Sequence, residues 1–344
     1  MNPSKRFVSK PLQFALVAFV LFTSVPSQAW GLRGHAAICE AATFLVKDEA
    51  LKKLLSSMAP RMAHLCNIPD NSWRGLDSAD TTVGNPGHYI NPESVGKDLK
   101  SLSSDYKKLV KKGDLETASK IGGLWWRAQQ FSERATRNAK LAVSAPSPKN
   151  HIEEQDNELA YNKAIFEMIV DMGLMGHFVG DIAMPFHSRI DHDGRASGHG
   201  GIHSFYEDTC VNTFGPELTP LVYLAAQNIS DKDILSTKGS VVDRMRAMSL
   251  KAAPEALKIE ELDELIEPSS AERRVALRKP VAEACPKFRE MMLTQMGRSA
   301  RVLSMFWEES YKKGGLPKLE GYKSYRYPLQ PDFVAPDYFD LGQR

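Results

Sequence analysis

The stretch MGHFVGDIAMPFHS, Met175–Ser188, closes a longer apolar pattern in which Ile165, Met168, Ile169, Met172, Met175 and Phe178 recur every three or four residues. That is the period of a helix with one buried face. It predicts a helix over Leu159–Ile182, stopped by Pro185, which has no backbone N–H to give and disfavours helical geometry in the residue before it. His177 and Asp181 stand four apart on this helix, so both side chains leave the same face about one turn apart. His187 follows just after the break.

Outward from this segment, helical spacing recurs and alternating Val/Ile/Thr runs are scarce. Ala36–Val46 is Ala-rich and periodic. Leu115–Leu141 carries Leu124, Trp125, Trp126, Phe131 and Ala135 at roughly helical intervals, and Phe288–Tyr311 is closed by Gly314-Gly315. Loops are expected between Asn67 and Glu93 and at HDGRASGHGG, His192–Gly201. The fold class read from this is all-α: a single, mostly helical domain of four or more helices around a shared core. The 42% hydrophobic content supplies the material for one.

The ends differ from the middle. Lys5, Arg6 and Lys10 precede an apolar run, Leu12–Phe22, broken only by Gln13, and Ser27-Gln28-Ala29 places small residues where a signal peptidase cuts. Residues 1–29 therefore read as a signal peptide, 30–317 as the working domain, and 318–344 as a Pro/Tyr-rich tail without helical period. Cleavage between Ala29 and Trp30 would deliver a secreted or periplasmic protein. It would also move the formal charge from +2 to −1, because the leader holds three basic residues and no acidic one. A broad basic surface for duplex nucleic acid is not indicated. Four cysteines in an exported chain favour two disulfides, and Cys39–Cys66 with Cys210–Cys285 staples each half locally. No Cys-x-x-Cys pair supports a cysteine zinc site.

Nine histidines are unevenly spread: six fall between His151 and His203. GIHSFYED repeats the four-residue spacing with His203 and Glu207. Two His/carboxylate pairs on separate helices, with His187 between them, make a donor set for a divalent ion. Singly, each pair reads equally as a helix-stabilising ion pair, and His177, between Met175 and Phe178, as a hydrogen-bonded core histidine. Asp70 and His88 bracket a loop from which both can approach the His177/Asp181 face. Asp70, after Pro69, also fits a turn-forming role, and Asp77 and Asp80 compete with it.

In order along the chain, Trp30, His35, Asp70, His88, His177-x-x-x-Asp181, His187 and His203-x-x-x-Glu207 resemble the zinc-dependent phospholipase C / S1–P1 nuclease superfamily, whose members are mostly helical exported enzymes with a trinuclear zinc cleft. The likeness spans Trp30 to Glu207, about half the chain. It implies three zinc ions: one held by Asp70, His88, His177 and Asp181; a second by His187, His203 and Glu207; a third by the amine and carbonyl of Trp30, by His35 and by Asp181 as a bridge. The segment NIPD, resembling the acidic motif of bacterial members, selects Asp70 over Asp77 and Asp80. The implied activity is hydrolysis of a phosphodiester by a metal-activated hydroxide, with Asp70 orienting or deprotonating the water.

Substrate signs are mixed. The short spacing in WGLRGH resembles the nucleases. GIHSFYED, with Glu at position 207 and a short interval from His187, resembles the phospholipases. The nuclease arginine would fall at Trp73, with Arg74 one step late, and the base-recognising aspartate would fall at Asn91. Tyr89 can stack on a base, pack on a lipid headgroup, or belong to the core. Tyr89, Asn91 and Arg74 are the candidate substrate contacts. The balance favours headgroup hydrolysis of phospholipid, with transient membrane-surface contact. Cleavage of single-stranded DNA or RNA is the alternative, and a non-catalytic zinc-binding protein a lesser one. No protein partner is implied.

Overall fold

The computed structural model describes residues 30–230, 234, 238–324, 326–340 and 342; the leader read at 1–29 lies outside them. The chain opens with α1 (Gly31–Leu45), α2 (Glu49–Ser57) and α3 (Ala59–Asn71), then the short α4 (Ser78–Gly84). It continues through α5 (Leu115–Ile121), α6 (Leu124–Ser144) and α7 (His151–Gln155) to α8 (Ala160–Ala183). After the turn α9 (Ile202–Ser204) come α10 (Leu218–Asn228), α11 (Val241–Ala252), α12 (Glu255–Leu262), α13 (Val281–Ala284) and α14 (Arg289–Lys313). The one sheet among the described residues is a hairpin, β1 (Leu265–Glu267) antiparallel to β2 (Leu277–Arg278).

Helix α8 is the axis of this single, mostly helical domain. From Ile165 to Ala183 only Glu167 escapes full burial, because α3, α6, α14, α1 and α11 pack around it. Such all-round contact needs small residues where neighbours come closest. Gly173 faces Leu65 of α3, Gly176 faces the Cys39–Cys66 bridge, and Gly180 faces the His35 ring of α1. The buried indoles complete their hydrogen bonds inside this core: Trp125 Nε1 donates to Ser249 Oγ (2.8 Å) and Trp307 Nε1 to the Met172 carbonyl (2.8 Å).

Helix α8 begins and ends within one residue of the expected span; α1 starts ahead of the expected Ala36 and ends one residue short of Val46, and α14 starts one residue after Phe288 and runs past Tyr311 to Lys313. Two expectations need correction. The segment expected as one helix over Leu115–Leu141 is two, because Gly122 takes φ +83° with its backbone pressed against the Tyr89 carbonyl, and the chain turns there. The Asn67–Glu93 region is not open loop. Helix α3 continues through Pro69 to Asn71, and single-turn helices at Trp73–Gly75, Asn85–His88 and Pro92–Val95 follow. Pro69 forgoes one intrahelical bond, and burial of Met62, Leu65, Ile68 and Pro69 itself holds the turn in place.

Both disulfides pair as expected, Cys39–Cys66 joining α1 to α3 and Cys210–Cys285 joining the segment after α9 to that after α13. They indicate an oxidising, extracellular type of environment. Among the described residues no helix is long and apolar enough to cross a membrane. Beyond α14 the chain runs without regular structure and is held by specific bonds. His64 Nε2 meets the Leu329 carbonyl at 2.8 Å, Trp73 Nε1 donates to the Pro331 carbonyl, and the rings of Tyr338 and Phe339 pack on Tyr106.

Candidate metal centre

Helices and single turns from across the chain converge to deliver the polar cluster. Helix α1 brings His35, the last turn of α3 brings Asp70, the turn Asn85–His88 brings His88, and α8 brings His177 and Asp181. The turn Pro185–Ser188 brings His187. His203 lies on α9 and Glu207 on the π-helical turn Phe205–Cys210 that continues it, so the second pair sits on a short irregular helix rather than a long one. All eight side chains are buried.

Asp181 is the meeting point. Its Oδ1 lies 3.3 Å from His35 Nε2 and 4.0 Å from His187 Nδ1; its Oδ2 lies 3.1 Å from His88 Nδ1 and 3.4 Å from His177 Nε2. Asp70 Oδ1 lies 3.7 Å from both His88 Nδ1 and His177 Nε2. Beyond His187, His203 Nε2 sits 2.9 Å from Glu207 Oε2 and 3.1 Å from His187 Nε2. Three groups thus have donor atoms mutually close enough to hold a metal ion: His35–His177–Asp181, Asp70–His88–His177 and His187–His203–Glu207.

Tautomers can be read from backbone partners. His177 Nδ1 meets the Cys66 carbonyl at 2.8 Å and His187 Nδ1 the His88 carbonyl at 2.6 Å. A carbonyl only accepts, so both Nδ1 atoms carry the proton and both Nε2 atoms present bare lone pairs to the cluster. Asp181 Oδ1 is buried and accepts no hydrogen bond. Converging lone pairs with an unsatisfied carboxylate oxygen are costly in a buried site and are the donor set a divalent cation requires. The residues fit the group.

Electrostatics point the same way. Burial pushes the Asp181 carboxyl well above its ordinary range, and pushes Asp70 up to about 7 against the pull of the Arg74 guanidinium. Burial holds His88, His177 and His187 far below the usual imidazole value, in the neutral form that ligates. A bound cation reverses the carboxyl shifts by stabilising the anions.

The remaining candidates fall at the margin. Arg74 is ion-paired to Asp70, Nε to Oδ1 2.8 Å, and is part exposed. Tyr89 donates its hydroxyl to the Ser119 carbonyl, 2.5 Å. Asn91 leaves its buried Oδ1 without a partner. Asp77, a rival to Asp70 on sequence, is spent capping α4 through bonds to the Ala79 and Asp80 amides. Trp30 is fully buried with Nε1 donating to the Gly180 carbonyl (2.9 Å). Its backbone nitrogen donates to Glu207 Oε2 (3.2 Å), and its carbonyl accepts from Gly34.

Sequence reasoning missed the orienting carbonyls of Cys66 and His88, which carry no residue signature, and Gly180, which did. A Cβ on Gly180 would lie 2.7 Å from His35 Nδ1. Gly180→Ala should therefore displace the His35 ring. The expected result is about 1–3 kcal/mol of lost stability and one metal ion fewer per chain, read by thermal unfolding and elemental analysis.

The fold and site together define a helical, disulfide-bonded protein with a buried histidine–carboxylate cluster able to hold metal. No protein-family model matches the chain, and no curated protein matches it.

Proposed function

We propose that this protein is an exported zinc-dependent phosphodiesterase, and that its substrate is phospholipid, cleaved at the headgroup phosphodiester. The observation that carries the reading is Asp181, a single buried carboxylate within 3.4 Å of His35 through one oxygen and of His88 and His177 through the other. Bridging carboxylates belong to multinuclear sites, where bound divalent ions supply Lewis acidity toward a phosphoryl oxygen and lower the pKa of water. In this reading the trinuclear cleft of the phospholipase C / S1–P1 nuclease type is formed by Asp70, His88, His177 and Asp181, by His187, His203 and Glu207, and by Trp30 and His35 with Asp181. The chain's own part is to hold neutral imidazoles by the Cys66 and His88 carbonyls, and to keep Asp70 within reach of a water proton. Arg74 adds a fixed positive charge at the rim, where an anionic diester arrives. Tyr89 and Asn91, close to His88 in the chain, are the further candidate substrate contacts.

The test is hydrolysis by the mature protein of phosphatidylcholine vesicles and of single-stranded DNA, with and without a chelator and after zinc is restored. Chelator-sensitive release of phosphorylated headgroup is expected. Efficient DNA cleavage without headgroup release would replace the substrate by nucleic acid, and zinc binding without turnover on either would leave a zinc-binding protein.

Metal retention should depend on pH with a defined sign. In the metal-free chain Asp70 holds its proton up to about pH 7, and a metal must displace it. Apparent affinity should rise about tenfold per pH unit per displaced proton below that value and level off above it. The metal-free protein should show the converse. The stability Asp70 contributes is complete below its ordinary value of 3.8 and is lost as pH climbs toward about 7. Isothermal titration with zinc and metal-free unfolding curves between pH 5 and pH 8 read both.

A further inference from the structure

Arg127 of α6 is a buried guanidinium with no carboxylate in direct ion-pair contact among the described residues, and Asp337 of the C-terminal segment favours its charge from further off. Its charge rests on aromatic faces instead. The rings of Phe131, Phe178, Trp73 and Phe333 stand 4.9, 5.4, 5.6 and 5.9 Å from its Cζ. Its Nη1 donates to Gln130 Oε1 (2.6 Å) and its Nη2 to the Val334 carbonyl (2.5 Å). A buried cation is costly to desolvate before such contacts offset it, so the sites it braces are where its function is to be sought.

Three residues of this socket adjoin a metal-binding candidate. Gly87 lies against the Arg127 stem, where a Cβ would come within 3.3 Å of Cγ, and Gly87 precedes His88. Phe178 follows His177. Trp73 stands in the turn just past Asp70, and a small cavity between Pro69, Trp73, His88, Arg127 and Phe333 marks where these elements meet. The fourth wall comes from the C-terminal segment. Phe333 meets Trp73 edge-on at 5.4 Å, the Pro331 carbonyl accepts from Trp73 Nε1 (3.1 Å), and the Ala335 carbonyl accepts from Gln130 Nε2 (2.7 Å).

We propose that Arg127 is a positioning residue for the Asp70–His88–His177 group, and that Pro331–Ala335 is the strap that closes its socket. The C-terminal tail thereby holds three ligands from three elements at one fixed spacing. The inference rests on that group holding a metal, as the proposed function requires, and not on which substrate is cleaved. His88 also orients His187 through its carbonyl, and His177 also belongs to the His35–His177–Asp181 group, so loss of the strap should act first on Asp70–His88–His177 and least on His203 and Glu207.

The experiment follows zinc release from the full mature chain to a chromophoric chelator, in wild type, Phe333→Ala and Arg127→Lys, with the unfolding temperature of each metal-free protein measured alongside. Phe333→Ala removes one wall at a part-exposed position. Arg127→Lys keeps the charge and loses the planar fork that serves Gln130 and Val334 together. Both variants should speed one release phase by about tenfold or more, the scale seen when groups supporting metal ligands are removed. At least one other phase and the metal-free unfolding temperature should stay near wild type. Wild-type release in every phase would overturn the proposal. So would a uniform acceleration that tracks a lower unfolding temperature, which marks Arg127 as a packing residue only. A wild-type chain that takes up no zinc overturns it together with the metal centre. A chain that binds zinc but cleaves no phosphodiester overturns the proposed function alone, since the release phases are still measured.

Discussion

Asp181→Asn should lower kcat by about a thousandfold or more, and should remove more metal than a change at a ligand that belongs to one group only. The substitution keeps shape and removes one charge from the point where four imidazoles converge, at 3.1 to 4.0 Å. Asn offers one acceptor oxygen and an N–H donor pair in place of two anionic oxygens, so it cannot bridge. Two of the three groups should lose affinity together, while His187–His203–Glu207 keeps its own carboxylate and should retain an ion. His177→Ala should follow the same course, since His177 belongs to both affected groups. Elemental analysis after gel filtration gives the count, and hydrolysis of a phosphodiester gives the rate. The fold should persist, because in the metal-free state the charge at Asp181 is already disfavoured by burial; an Asn there relieves that cost. An Asp181→Asn protein with its full complement of zinc and undiminished turnover would refute the bridging role.

What the sequence made legible follows from what periodicity encodes. Helix α8 could be bounded to within a residue because its apolar face and Pro185 both lie in the local sequence. The i, i+4 pairs were readable for the same reason, since four-residue spacing on a helix is a statement about distance. Asp70 was legible as a candidate and misplaced as a loop residue, because Pro69 signals a break that burial of its own turn overrides. The split at Gly122 was written in the sequence as a glycine pair, yet its cause, the Tyr89 carbonyl pressed against it, is a contact across 33 residues. Arg127 gave no signal at all. An arginine among aromatic residues on a helix looks like an exposed charge until Trp73, Phe178 and Phe333 arrive from three other elements.

The start of the domain yields the sharpest remaining test. A chain beginning at Trp30 should bind one metal ion more tightly than the same chain extended by a single residue. Trp30 is fully buried, adopts φ +52°, and is followed by Gly31, where a Cβ would meet Asp208 Oδ1 at 2.8 Å. Packing of its indole under Gly180 fixes where its nitrogen points, and that nitrogen lies 3.2 Å from Glu207 Oε2. As a peptide amide it has no lone pair to give and serves only as a donor to Glu207. As a free terminal amine, with a pKa near about 8, it becomes a metal ligand once deprotonated, and a nearby cation favours that deprotonation. Cleavage before Trp30 would then change a hydrogen-bond donor into an electron-pair donor. The prediction is a fall of at least about tenfold in the affinity of one site on adding one Gly before Trp30, with the metal-free unfolding temperature unchanged. Matched titrations of the two chains check it. Equal stoichiometry, affinity and activity in both would mean that the terminus holds Trp30 in place and takes no part in binding metal.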